Sequence, residues 1–180
     1  MRRVSLVGNS GSGKTTVGRA LATALGVPFV ELDAIFHQPG WQPLERSEFR
    51  RRVTGVCATD GWVVDGNYSA VRDLVWARAD TVVWFDLPRR TVMRQLLLRT
   101  LRRGLTGAEL WNGNREHLRD LLSTDPEQSI LRWAWVKHAT YRARYRAAAT
   151  DPTWSSLTFE RIASRSDARR VLARAATPPR

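Results

Sequence analysis

The chain predicts an α/β fold, a parallel sheet with helices packed on both faces. Two observations carry that expectation. First, short apolar runs ending in Asp or Gly alternate with helical runs along the 180 residues. Strands that alternate with helices assemble as parallel sheets. Second, the first apolar run, Val4-Ser5-Leu6-Val7, leads directly into Gly8-Asn9-Ser10-Gly11-Ser12-Gly13-Lys14-Thr15. This octet fits G-x-x-x-x-G-K-[ST], a loop whose backbone N–H groups cradle phosphates. The pattern requires a strand before it and a helix after it, and both are present.

The elements follow in order. Thr15–Leu25 is a helix with Val17, Ala20, Leu21 and Ala24 at helix-face spacing, stopped by Gly26 and Pro28. Val27–Leu32 is a second strand ending at Asp33, and a turn-rich stretch, His37 to Pro43, follows it. Glu45 to Thr59 is helical, with Phe49, Val53, Val56 and Cys57 on one face. Trp62–Asp65 is a third strand, followed by Gly66-Asn67-Tyr68, and Ser69 is placed to cap a short helix reaching Arg78. Thr81–Phe85 is a fourth strand leading to Asp86, and Arg89–Arg103 a helix with Val92, Met93, Leu96, Leu97 and Leu101 apolar. Gly104–Thr124 is weakly patterned, with a short helix expected at Glu116–Leu122. Asp125-Pro126 opens a long helix to Ala149, with Ile130, Ala134, His138, Tyr141 and Tyr145 as its inward stripe. Leu157–Ile162 is the last strand, and Ser164-x-x-Asp167 starts a final helix near a frayed tail, Thr177–Arg180. One domain, residues 1–180, accounts for the whole chain.

Composition narrows the class. Hydrophobic residues make up 43%, an ordinary value for a water-soluble domain. No apolar run approaches the roughly 20 residues of a membrane span, and the N-terminus enters a strand at once, so a cytoplasmic location is expected. The single cysteine, Cys57, excludes an intramolecular disulfide and a Cys-cluster metal site. The net charge is +12. A nucleic-acid surface is compatible with it, but there is no Lys/Arg block of five, and arginine dispersed over solvated helix faces is the favoured reading. Only Lys14 and Lys137 are lysines, against 27 arginines. The phosphate loop therefore uses lysine where the chain otherwise uses arginine.

Ligands of open α/β sheets bind beyond the carboxyl ends of the strands. That rule collects Gly8–Thr15, Asp33, Asp65 and Asp86 into one crevice. The loop, Gly8, Asn9, Ser10, Gly11, Ser12, Gly13, Lys14, Thr15 and Thr16, is the expected ATP site. Lys14 reaches the β- and γ-phosphates, and Thr15 offers its hydroxyl to Mg²⁺. Asp65 and Asp86 compete on pattern for the metal, since each directly follows an apolar strand. His37 and His138 lack metal-ligand spacing and read as structural. Trp41, beside Pro39-Gly40, is placed to stack on an acceptor ring.

With these residues in place the chain resembles the P-loop kinases that include adenylate and shikimate kinases. More narrowly, it resembles the bacterial DNA topology modulation proteins, which are adenylate kinase-like. The segments GNSGSGKTT (8–16), ELDAIFHQPGW (31–41), GWVVDGNYS (61–69), ADTVVWFDLPR (79–89) and ILRWAWVKH (130–138) carry this likeness. The resemblance implies a three-layer fold whose five-stranded parallel sheet has order 2-3-1-4-5, with a helical lid at 104–124. It assigns the metal to Asp65 together with Thr15, and an acceptor-side carboxylate to Asp33. It supplies lid-flanking arginines, Arg94 and Arg99 before the lid and Arg142 and Arg146 after it. Such arginines fork onto phosphate and are charged at any pH. The chain lacks the TGDLLR-like segment of adenylate kinases, and Ser69 stands where they have arginine, so AMP is not carried over as acceptor. The expected function is a Mg-dependent, ATP-using phosphotransferase acting on an unidentified small molecule. The alternative is a nucleotide-dependent DNA-associated regulator or a slow ATPase switch.

Overall fold

Along β1 (Arg3–Gly8) the side chains alternate. Val4 and Leu6 enter one core, and Val7 enters the other, as a period of two requires. The strand is thus buried on both faces and lies at the centre of the sheet. The computed structural model describes residues 1–115 and 129–177. Its remaining elements are α1 (Lys14–Leu25), β2 (Phe29–Glu31), α2 (Leu32–Phe36), α3 (Arg46–Cys57), β3 (Trp62–Asp65), α4 (Arg72–Arg78), β4 (Thr81–Phe85), α5 (Arg89–Thr106), α6 (Ile130–Ala148), β5 (Thr158–Ile162) and α7 (Arg165–Ala176). All strand pairs are parallel, and the sheet order is β2-β3-β1-β4-β5, as expected.

Two hydrophobic cores flank the sheet. One gathers Val7, Phe49, Val53, Val64, Val75, Trp76, Val82, Trp84 and Tyr145 beneath α3, α4 and α6. The other gathers Val4, Leu6, Leu21, Val63, Val83, Phe85, Ile162 and Val171 beneath α1 and α7. The register opposes Leu6 of β1 and Glu31 of β2 to Asp65 of β3. Asp65 therefore ends its strand two residues short of the phosphate loop, at the carboxyl edge where ligands bind.

Several local expectations are corrected. Leu32 opens a helix instead of closing a strand, because its buried side chain packs under α3. The short helix before Arg78 begins at Arg72, and Ser69 does not cap it. Ala20 and Ala24 face solvent, while Gly18, Leu21 and Ala22 form the buried face of α1. A Cβ on Gly18 would clash with Leu6 and Phe29, so the helix lies close on the sheet there. Leu97 and Leu101 are exposed on α5, whose buried positions are Val92, Leu96 and Thr100. α5 runs on to Thr106, so residues 104–106 belong to it and not to a separate lid. α6 starts at Ile130 behind an N-cap at Ser129. The helix expected at 116–122 and the Asp125-Pro126 start lie outside the described residues, as does the tail beyond Thr177. Of the expected inward stripe, Ala134, His138, Tyr141 and Tyr145 are buried, and Ile130, at the start of the helix, is half-buried. The capping pair also forms, the Asp167 N–H donating to Ser164 Oγ at 3.2 Å.

Candidate active site

The phosphate loop joins β1 to α1. Gly8 has φ +141°, and a Cβ there would lie 2.7 Å from Phe85 Cβ on β4, so only glycine fits. Gly13 is the N-cap of α1 at φ +87°, and space for 4 Å around its missing Cβ is open. The start of α1, where unpaired N–H groups and the helix dipole favour negative charge, is thus open at Gly13. Asn9 and Ser12 are buried inside the loop. Ser12 Oγ donates to Asn9 O at 2.7 Å, and Lys14 Nζ donates to the same carbonyl at 2.9 Å. Burial lowers the Lys14 pKa; Asp65 and Asp33 oppose the shift, and Arg99 adds to it. Thr16 is exposed.

Asp65 is 7% exposed and accepts the Thr15 hydroxyl at 3.0 Å. Burial raises its pKa to about 6, with Lys14 and Thr15 pulling the other way. Asp86, its competitor on pattern, is already engaged. Its side chain is 1% exposed and pairs with Arg142 Nε at 3.1 Å and accepts from Arg161 Nε at 2.8 Å. The structure therefore gives Asp86 and Arg142 to each other. Arg94 stays exposed on α5, whereas Arg99, five residues on, donates from Nη2 to Ser10 Oγ at 3.2 Å. Arg146 is exposed in the last turn of α6.

Asp33 stands in the first turn of α2. Its Oδ1 accepts the Tyr68 hydroxyl at 2.5 Å, and His37 Nε2 lies 3.3 Å from the same hydroxyl. Burial and the Asp33 charge push the Tyr68 phenol above its ordinary pKa, so it remains a donor. Burial lowers the His37 pKa, against the pull of Asp33. Aromatic rings wall this side. Phe36 contacts Tyr68, and His37 lies between Trp41 and Trp111 with ring centroids at 5.2 and 6.3 Å. Asn112 Nδ2 donates to Ala34 O, and Asn114 Nδ2 to Gln38 O, so the segment after α5 is bound to the loop after α2.

Three contributors were not singled out from the sequence. Asn67 and Tyr68 follow Asp65 in the DGNY segment, which served only as a likeness. Tyr145 was read as core. Among the surface arginines many are spent on neighbours, including Arg19 on Glu31, Arg50 on Asp73, Arg51 and Arg52 on Glu48, and Arg174 on Glu160. No described helix is long and apolar enough to cross a membrane.

A phosphate loop, a lysine and a buried carboxylate at the carboxyl edge of a 2-3-1-4-5 sheet define a P-loop kinase. Residues 10–132 match the family model for shikimate kinase. The shikimate kinase of Synechococcus elongatus is 31% identical over 163 residues, covering 71% of this chain and 82% of that protein. The chain belongs to the shikimate kinase family, and it is an ATP-dependent phosphotransferase. Among solved structures, shikimate kinase from Bacteroides thetaiotaomicron superposes with a TM-score of 0.55 at 18% identity, covering 96% of this chain and 95% of that one. Shikimate kinase from Acinetobacter baumannii in complex with shikimate gives 0.54 at 19%, covering 97% and 90%. At such identities these two attest the fold. The comparisons support neither the narrower likeness to topology modulation proteins nor the DNA-associated alternative.

Proposed function

We propose that this chain transfers the γ-phosphoryl group of Mg-ATP to a hydroxyl of a small molecule held beside Asp33, and that the acceptor is shikimate. The observation that carries the reading is Asp33 itself, a carboxylate in the crevice close enough to Lys14 to act on its pKa. Its Oδ1 is taken by Tyr68. Its Oδ2 has no hydrogen bond among the described residues and is the acceptor for a substrate hydroxyl. As the hydroxyl oxygen bonds to the γ-phosphorus and the bridge to ADP breaks, the hydroxyl proton passes to this carboxylate.

Phosphoryl transfer asks the protein for positioning and positive charge. Lys14 and Arg99 supply charge from two sides of the loop. Thr15 and Asp65, already joined by a hydrogen bond, would hold Mg²⁺. Their donor set fits a hard cation, and a carboxylate held uncharged-prone by burial is relieved by one. When bound, the ion would supply positive charge against the negative charge of the phosphates. The aromatic wall of Trp41, Trp111 and His37 suits the apolar edges of a six-membered ring.

The test follows ADP release from Mg-ATP with and without shikimate, with Lys14→Ala as the inactive control. Shikimate-dependent ADP with matching phosphorylated product supports the reading. ADP release that shikimate does not stimulate overturns the acceptor assignment.

A further inference from the structure

β3 ends at Asp65, yet the chain beyond it still pairs with β1. The Gly8 N–H donates to Asn67 Oδ1 at 2.9 Å, and Asn67 Nδ2 donates to Gly8 O at 2.6 Å. One side-chain amide thus reproduces the two-bond exchange of a backbone pair. Gly8 is held against Phe85 of β4 on its other side. The first residue of the phosphate loop is therefore fixed from both flanks, where the ladder would otherwise leave one open.

The orientation of that amide is fixed as well. The Tyr145 hydroxyl, buried on α6, donates to the same Asn67 Oδ1 at 2.9 Å. Two donors converge on one atom and an acceptor faces the other, so the amide fits in a single sense. The next loop residue is tied by a second amide: Asn9 Nδ2 donates to Ala134 O of α6 at 2.6 Å, and Asn9 Oδ1 accepts from Ser10 N–H at 2.9 Å. Phosphate binding by backbone N–H groups depends on where those groups point.

We propose that Asn67 is a positioning residue for the nucleotide, acting through Gly8, and that Tyr145 orients it. The proposal rests on residues 8–15 being the ATP site. It makes β3's trailing loop part of the donor side of the crevice, while its neighbour Tyr68 serves the acceptor side through Asp33. Asn67→Ala frees the Gly8 peptide, and a misplacement of the loop on the order of 1 Å weakens Mg-ATP binding by about tenfold to a hundredfold. Tyr145→Phe keeps the packing, removes one of the two donors to Oδ1, and weakens binding about threefold to fivefold.

Binding of Mg-ATP and Mg-ADP is measured by titration calorimetry, beside thermal melting and steady-state kinetics. A purely structural role lowers the active fraction and hence apparent kcat, with Kd and KM for ATP unchanged. The expected result is a raised Kd and KM for ATP in both variants, with the acceptor KM unchanged. Val53→Ala, a core truncation beneath α3, is the control: it lowers Tm and leaves Kd alone. If Asn67→Ala does not fold, Tyr145→Phe decides. Wild-type affinity in the variant that folds, or an equal loss in Val53→Ala, overturns the role of Asn67. Absence of nucleotide binding by the wild type would instead overturn the ATP site itself.

Discussion

Asp65→Asn is expected to make the nucleotide-free protein more stable and catalytically dead. The carboxylate is buried among strand ends, and burial raises its pKa from the ordinary 3.8 to about 6 despite Lys14 and Thr15. A difference of about 2 pKa units corresponds to about 3 kcal/mol between the two protonation states. The folded pKa lies above the unfolded one, so the ionised form is the one folding penalises. The cost is fully present above pH 6 and disappears as pH falls through the window toward 4. An asparagine keeps the shape and the acceptor for Thr15 and carries no charge. At pH 8 it should therefore stabilise the protein by about 3 kcal/mol, a rise in Tm of roughly 6–12 °C for a domain of this size. By pH 4.5 the gain should shrink to about 1 kcal/mol. Thermal and urea unfolding at the two pH values measure it. Mg-ADP should reverse the order at pH 8, because only the wild type offers the cation a charged ligand. An asparagine variant less stable than wild type at pH 8, or a gain that does not depend on pH, would refute the reasoning.

Asp33→Asn should lower kcat by about 10²- to 10⁴-fold, the range of general-base contributions, with Kd for Mg-ATP unchanged in calorimetry. Arg99→Ala should lower kcat by about 10²-fold, whereas Arg94→Ala, on the exposed face, should leave kinetics at wild-type values in the same coupled assay. Replacing Arg142 and Arg161 together with methionine leaves the buried Asp86 carboxylate unpaired, and should destabilise the protein by about 3–5 kcal/mol in denaturant unfolding. Either single replacement should cost much less, since the other arginine stays.

Much of this site was legible because its signals are local. The phosphate loop is a contiguous octet, and a carboxylate directly after a strand needs only the strand to be placed. The short run around Leu32 was ambiguous because a few apolar residues fit either a strand or a buried helix turn. Packing against α3 decided it. Asp65 and Asp86 looked alike for the same reason: both cap apolar strands. What separates them is partners 56 and 75 residues away from Asp86, Arg142 and Arg161, and no local pattern encodes such a pairing. Asn67 was hidden by the same distance, 59 residues from Gly8. A polar residue in a loop ordinarily signals exposure, and only the strand end beside it reveals a backbone to be matched.

The scarcity of lysine turns the crevice into its own reporter. Lys14 and Lys137 are the only lysines in the chain, and Lys14 sits inside the crevice beside the phosphate loop, its Nζ donating to Asn9 O. An acylating reagent has two side chains and the N-terminus to label, and peptide mass spectrometry separates all three. Occupancy of the nucleotide site can then be followed, in a crude extract if needed, as protection of one amine measured against another on the same molecule.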